Sequence, residues 1–189
     1  LAPWRASDSR PLRLCFLGTV HPNKGLMTLL RAVLSLTPAE RERIHLLVHA
    51  TGGDEPLRRW LANVPQVAFL GPYDLTRLQS LAREYDVGVF PNAGLDNSPL
   101  VVLEHLSMGK FTLASDLGGV TGIINPANGV RIPASDPIAW AGAIRAMING
   151  DIAIPTPDQV RAASPLRCFE GFAHDTLVYL RRAAAQSAS

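Results

Sequence analysis

Five short aliphatic runs, each followed by a stretch with helical spacing, constrain this chain most. The runs are "LRLCFLG" (12 to 18), "IHLLVHA" (44 to 50), "VAFLG" (67 to 71), "DVGVFP" (86 to 91) and "FTLAS" (111 to 115). Between and after them come Leu26, Leu30 and Val33 on one helical face, then "EPLRRWLANV", "LTRLQSLAREY", "PLVVLEHLSMG" and "PIAWAGAIRAMI". Apolar strands alternating with helices bury themselves only as a parallel sheet covered on both sides. The expected fold is therefore a doubly wound α/β domain of about six strands. A length of 189 residues with 47% hydrophobic composition fits one such core.

The expected boundaries are a linker at residues 1–11, one domain over 12–185 and a frayed Ala/Ser tail at 186–189. The tail follows a predicted amphipathic helix in "PLRCFEGFAHDTLVYLRR". The net charge of +2 comes from scattered residues such as Arg58 and Arg59, not from a polybasic block, so nucleic acid is not the expected partner. No apolar run reaches the roughly 18 residues of a membrane span, and the opening residues lack the apolar core of a signal peptide. A soluble, cytoplasmic protein is expected. Cys15 lies in the first aliphatic run and reads as core, and it forms no framework with the distant Cys168.

Sheets of this kind bind ligands beyond the carboxyl ends of their strands. The loops there read "GTVHPNKG", "ATGGDEP", "GPYD", "PNAGLDNSP" and "SDLGGVTG". In the fourth, Ser98 and Pro99 read as a helix cap and first helical residue, which would aim the free N–H groups of the helix start at an anion. Glu104 follows about one and a half turns later among apolar neighbours, where a carboxylate needs a partner. Asp96 enters the same crevice from the preceding loop. Hydroxyls, a phosphate and more hydroxyls in a line would satisfy this arrangement, which describes a nucleotide sugar.

Three segments, "FLGTVHPNKGLMTLLRAV", "VAFLGPYDLTRLQSLAREYDVGVFPNAGLDNSPLVVLEHLSMGKFTLASDLGGV" and "NGVRIPASDPIAWAGAI", together resemble the carboxy-terminal, donor-binding domain of the group 1 glycosyltransferases. Those are retaining enzymes with two Rossmann-like domains, the GT-B architecture. The resemblance implies that Glu104 holds the donor ribose, Asp96 the donor sugar, and the backbone around Ser98, Pro99, Leu100 and Val101 the diphosphate. Lys24, beside Gly18 and Thr19 in the first loop, would neutralise the departing phosphates. On this reading Asp96, Glu104 and Lys24 are the catalytic set, and neither a metal nor another cofactor is required. Thr19 stands at the family's usual arginine, Asp96 at the first glutamate of a paired acidic motif, and Gly122 where a glutamate is common. The amino-terminal, acceptor-binding half is the expected missing partner, and any membrane association would belong to that half.

Taken one at a time, the same residues have plainer readings. Glu104 fits a polar stripe with His105 and Ser107, Asp96 with Asn97 fits a turn, and Lys24 fits a solvated helix start. A non-catalytic nucleotide-sugar-binding module stays open, as does a related GT-B enzyme such as an epimerase or phosphorylase. Other motifs fail. No G-x-G-x-x-G follows the first strand, no P-loop occurs, and the five histidines have no metal-ligand spacing. His21, in the first loop, is within a loop's reach of a phosphate.

Overall fold

The structure is a computed structural model and describes residues 2–74, 76 and 78–166. The predicted carboxy-terminal helix, the tail and Cys168 lie outside the described residues. Six strands form one sheet: β1 (Leu12–Thr19), β2 (Ile44–Thr51), β3 (Val67–Gly71), β4 (Val87–Phe90), β5 (Phe111–Ser115) and β6 (Gly129–Ile132). All pair in parallel, in the order β3-β2-β1-β4-β5-β6. The five aliphatic runs are the first five strands. The sixth has only four residues, one of them Arg131, too short and too polar to stand out as a run.

This order has a functional consequence. The chain builds from β1 outward to β3, then returns to the other side of β1 to lay down β4. Connections after β1 and β4 leave in opposite directions, so a crevice opens at their carboxyl ends.

Helices α1 (Leu26–Ser35), α2 (Pro38–Glu42), α3 (Glu55–Leu61), α4 (Leu78–Leu81), α5 (Leu100–Ser107), α6 (Val120–Ile123), α7 (Pro137–Asn149) and α8 (Pro157–Ala162) surround the sheet. The period of two along β1 divides its side chains between two cores. Leu12, Leu14 and Phe16 join the main cluster with Leu29 and Leu30 of α1 and Trp140 and Ile144 of α7. Cys15 and Leu17 point the other way, to Leu47, Leu81 and Tyr85. Cys15 is fully buried, as its place in the run led us to expect, and burial pushes its thiol pKa far up.

The expected linker is packed on the domain. Trp4 is 3% exposed and donates its indole N–H to the Arg10 carbonyl at 3.1 Å, while Arg43 reaches the Ala6 carbonyl. A tryptophan is a poor linker residue, because burying its ring outweighs the cost of ordering a short segment. Arg10 and Arg13 then converge on Asp86 with contacts of 2.7 and 3.1 Å, fixing the start of β1 to that of β4.

Burial alone would raise the Asp86 pKa, but the hydrogen bonds from Arg10 and Arg13 outweigh it and hold it below its ordinary value of 3.8. The stability contributed by this ionised carboxylate is therefore present above that value and is lost as pH falls through the lower, folded value. Asp86→Asn should cost about 2 kcal/mol near neutral pH. In thermal unfolding, the gap between variant and parent should stay constant from roughly pH 8 to 5 and close in stronger acid.

Candidate functional site

The loop after β1 is threaded into the loop after β4. Gly25 adopts φ +68°, and a Cβ there would lie 1.8 Å from the Pro91 carbonyl oxygen, so the position admits only glycine. The Asn23 carbonyl accepts from the N–H groups of Ala93 at 2.8 Å and Gly94 at 3.3 Å. This lacing brings Lys24 Nζ within 3.6 Å of Asp96 Oδ2, with both side chains partly exposed. Two of the sequence candidates thus meet in one ion pair at the mouth of the crevice. His21 caps the short helical turn Pro22–Lys24 through Nδ1, which accepts from the Asn23 N–H. At the end of β1, Gly18 is half-buried and Thr19 exposed, with the Thr19 hydroxyl accepting from Thr51 at 3.2 Å.

The expected start of α5 needs correction. Ser98 does not cap it: Pro99 occupies the cap position and no side chain caps the helix. The cause is a turn at Asp96, whose Oδ1 accepts from the Ser98 N–H at 3.2 Å and holds residue 98 outside the helix. The first N–H groups, those of Leu100 and Val101, have no intrahelical acceptor and no capping side chain, so the helix end keeps its affinity for anions. Ser98 and Leu100 are exposed, Val101 half-buried and Pro99 buried. The glycine-rich loop after β5 closes the other side. The Gly119 N–H donates to the Asp96 carbonyl at 2.9 Å, and a Cβ on Gly119 would meet the Asn97 carbonyl at 2.2 Å.

Glu104 is half-buried, and its Oε2 accepts from the Tyr73 hydroxyl at 2.8 Å. The polar-stripe reading fails at His105, which is fully buried. Its ring lies over Gly88 of β4, where a Cβ would come within 2.4 Å, and its Nδ1 shares a 2.7 Å hydrogen bond with the Tyr85 hydroxyl. Burial depresses the His105 pKa to about 3, so this contact is between neutral groups. Helix α5 is therefore keyed to the sheet one residue from Glu104. Sequence reasoning missed the pairing of Tyr73 with Glu104; the available signal was that a carboxylate on an apolar helix needs a donor, and "GPYD", another of the strand-end loops, contains one.

Among the described residues, no group of three or more His, Cys, Asp or Glu side chains is placed to hold a metal ion. Nor is any helix there long and apolar enough to cross a membrane. A cavity of about 70 Å³ adjoins Tyr73, lined also by His49, Pro72, Asp74 and Glu84. A larger one, of about 500 Å³, includes Asp116, Asn125 and Arg131 and touches none of the candidate residues.

Comparison with known proteins decides the family. The family model described as "Glycosyl transferases group 1" matches residues 11–150. The chain belongs to the group 1 glycosyltransferases. Over 140 residues it is 30% identical to the phosphatidyl-myo-inositol mannosyltransferase of Mycobacterium leprae (strain TN), covering 72% of this chain and 37% of that one. It thus spans little more than a third of that curated relative. Among solved structures, Anabaena HepE in complex with UDP and glucose shares the fold at a TM-score of 0.68 and 18% identity, over 82% of this chain and 43% of that one. The C-terminal domain of LpcC, a group 1 family protein of Francisella tularensis, matches at a TM-score of 0.65 and 17% identity, over 82% of this chain and 85% of that one. This group 1 chain therefore has the six-stranded, Rossmann-like architecture of one GT-B half.

The keying of α5 to β4 makes Gly88→Ala a sensitive substitution. The added methyl group should displace His105 and cost about 1–3 kcal/mol, read as a lower thermal midpoint. Combining it with His105→Ala should recover part of that loss, because the clash is removed.

Proposed function

We propose that this domain is the donor-binding half of a retaining glycosyltransferase, which moves a sugar from a nucleoside diphosphate to an acceptor hydroxyl. The observation that carries the reading is the Lys24–Asp96 pair beside the uncapped start of α5, at the point where the strand order reverses. The complex of Anabaena HepE with UDP and glucose supports the ligand class. An acceptor-binding, amino-terminal half would complete the enzyme, consistent with the 37% of the mannosyltransferase that this chain covers. A cytoplasmic location, and membrane contact through that other half alone, go with this reading.

The chemistry follows from charge. A departing nucleoside diphosphate gathers negative charge as the anomeric bond breaks, and a fixed cation with oriented N–H groups lowers that barrier. Lys24 supplies the cation; Leu100 and Val101 supply the N–H groups. Donor entry draws Lys24 from Asp96 to the diphosphate, at a cost of about 1 kcal/mol or less for so exposed a pair. Asp96, released, accepts from hydroxyls of the sugar. Glu104 accepts from the ribose diol. The reading includes no metal: the lysine and the helix end together offset much of the diphosphate charge.

A second reading, a binding module without transfer activity, is favoured by two features. Thr19 brings no charge to the diphosphate, and a side chain at Gly122 would find open space that no carboxylate fills. Transfer by the complete enzyme, assayed with a panel of donors, separates the two.

The donor site itself is tested by calorimetric titration of this chain with UDP, GDP and ADP and their sugars. One nucleotide should bind with Kd of about 10 µM to 1 mM. Glu104→Ala should weaken it at least about tenfold, the worth of a charged hydrogen-bonding partner. Lys24→Ala should weaken the diphosphate more than the matching nucleoside. Undiminished binding by Glu104→Ala removes that residue from the site.

A further inference from the structure

The hydroxyl of Tyr73 lies 2.8 Å from Glu104 Oε2, yet nothing in the proposed chemistry uses it. Tyr73 comes from the loop after β3, three places from β4 in the sheet's order, with β2 and β1 between them. Its ring is no loose loop side chain: it packs against the second core of Cys15, Leu17, Leu47, Leu81 and Tyr85. The hydroxyl is thus held from below by the sheet. Glu104 is held through its backbone, because its neighbour His105 is locked over Gly88 and bonded to Tyr85. What remains free on Glu104 is the rotation of a long side chain, which the Tyr73 hydrogen bond removes.

We infer that Tyr73 is a positioning residue that fixes the Glu104 carboxylate to receive a vicinal diol, and so sets the preference of this site for ribose over deoxygenated sugars. The inference rests on the proposed donor site and adds to it a determinant outside the first loop, α5 and the acidic pair. A carboxylate offers about four lone-pair positions. A phenol, having one proton to give, occupies one and leaves room for two ribose hydroxyls. Tyr73 stays a donor at any physiological pH, since burial first, and the Glu104 carboxylate second, raise its pKa well above the ordinary tyrosine value. Preorganisation of this sort shows as selectivity, because a ligand without the diol gains nothing from an aligned carboxylate.

The test removes one oxygen and keeps the packing. This chain, Tyr73→Phe and Glu104→Ala are each titrated with UDP, GDP and ADP and with their 2′,3′-dideoxy counterparts, with thermal unfolding as a check on packing. Tyr73→Phe should melt close to the parent, lose about five- to tenfold in affinity for the preferred ribonucleotide and bind its dideoxy counterpart within about twofold of the parent. The ratio of the two affinities is the readout that a merely structural role would not move. An unchanged ratio overturns the inference, whether both ligands weaken equally or neither changes. So does tighter ribonucleotide binding, which would make Tyr73 a competitor for Glu104. The Glu104→Ala arm separates the two levels. If that variant loses the ratio and Tyr73→Phe keeps it, only the role of Tyr73 fails; if Glu104→Ala keeps it, or no nucleotide binds the parent, the donor-site reading fails and takes this inference with it.

Discussion

The rest of the site depends on one close contact, the seat of His105 over Gly88. Helix α5 can approach β4 so nearly only because Gly88 has no side chain, and the imidazole fills the space that a Cβ would take. The Tyr85 hydroxyl then satisfies one ring nitrogen, and burial keeps the ring neutral. With the helix fixed there, its first turn faces the crevice between β1 and β4, and Glu104 faces Tyr73. A polar residue buried beside the candidate glutamate thus seats the helix that carries both. The contact ties the helix to one position, although the ring's Nε2, also buried, has no hydrogen-bond partner among the described residues.

On this frame the crevice is assembled from three loops that contact one another through backbone. Gly25 against Pro91, Asn23 against Ala93, and Gly119 against Asp96 and Asn97 leave little room for independent motion. The charges at its mouth are balanced before any ligand arrives, since Lys24 pairs with Asp96. Such a pair hinders an anion little, because its partial exposure makes it weak. It also gives the shortened acid a role of its own. Aspartate in place of glutamate keeps the carboxylate near both its own turn, through Ser98, and Lys24.

Much of this was legible in the sequence because hydrophobic patterning is a strong signal. Five strands announced themselves as aliphatic runs, and their alternation with helices gave the parallel sheet and the crevice. β6 did not, since four residues containing Arg131 at a sheet edge carry no pattern. Local chemistry was harder. Ser98-Pro99 has the composition of a helix start, but the preceding Asp96 captured the Ser98 N–H and moved the start to Leu100. His105 beside Glu104 suggested a polar stripe, because nothing in a single sequence reveals that a glycine seventeen residues earlier makes room for a ring. Trp4 showed the same limit at the other end, where prolines suggested a linker and tertiary packing buried the indole. The meeting of Lys24 with Asp96 was implied by the strand order, whereas that of Tyr73 with Glu104 needed coordinates.

The central claim, that an anionic ligand lies against the start of α5 between Lys24 and Glu104, is tested most directly by amide NMR. Spectra of the labelled chain recorded with increasing nucleoside diphosphate should show the largest shifts at the N–H groups of Leu100 and Val101, with Lys24, Gly25 and Tyr73 following at the same midpoint. Shifts confined to the cavity that includes Asp116 and Arg131, with those amides unmoved at saturation, would contradict the account.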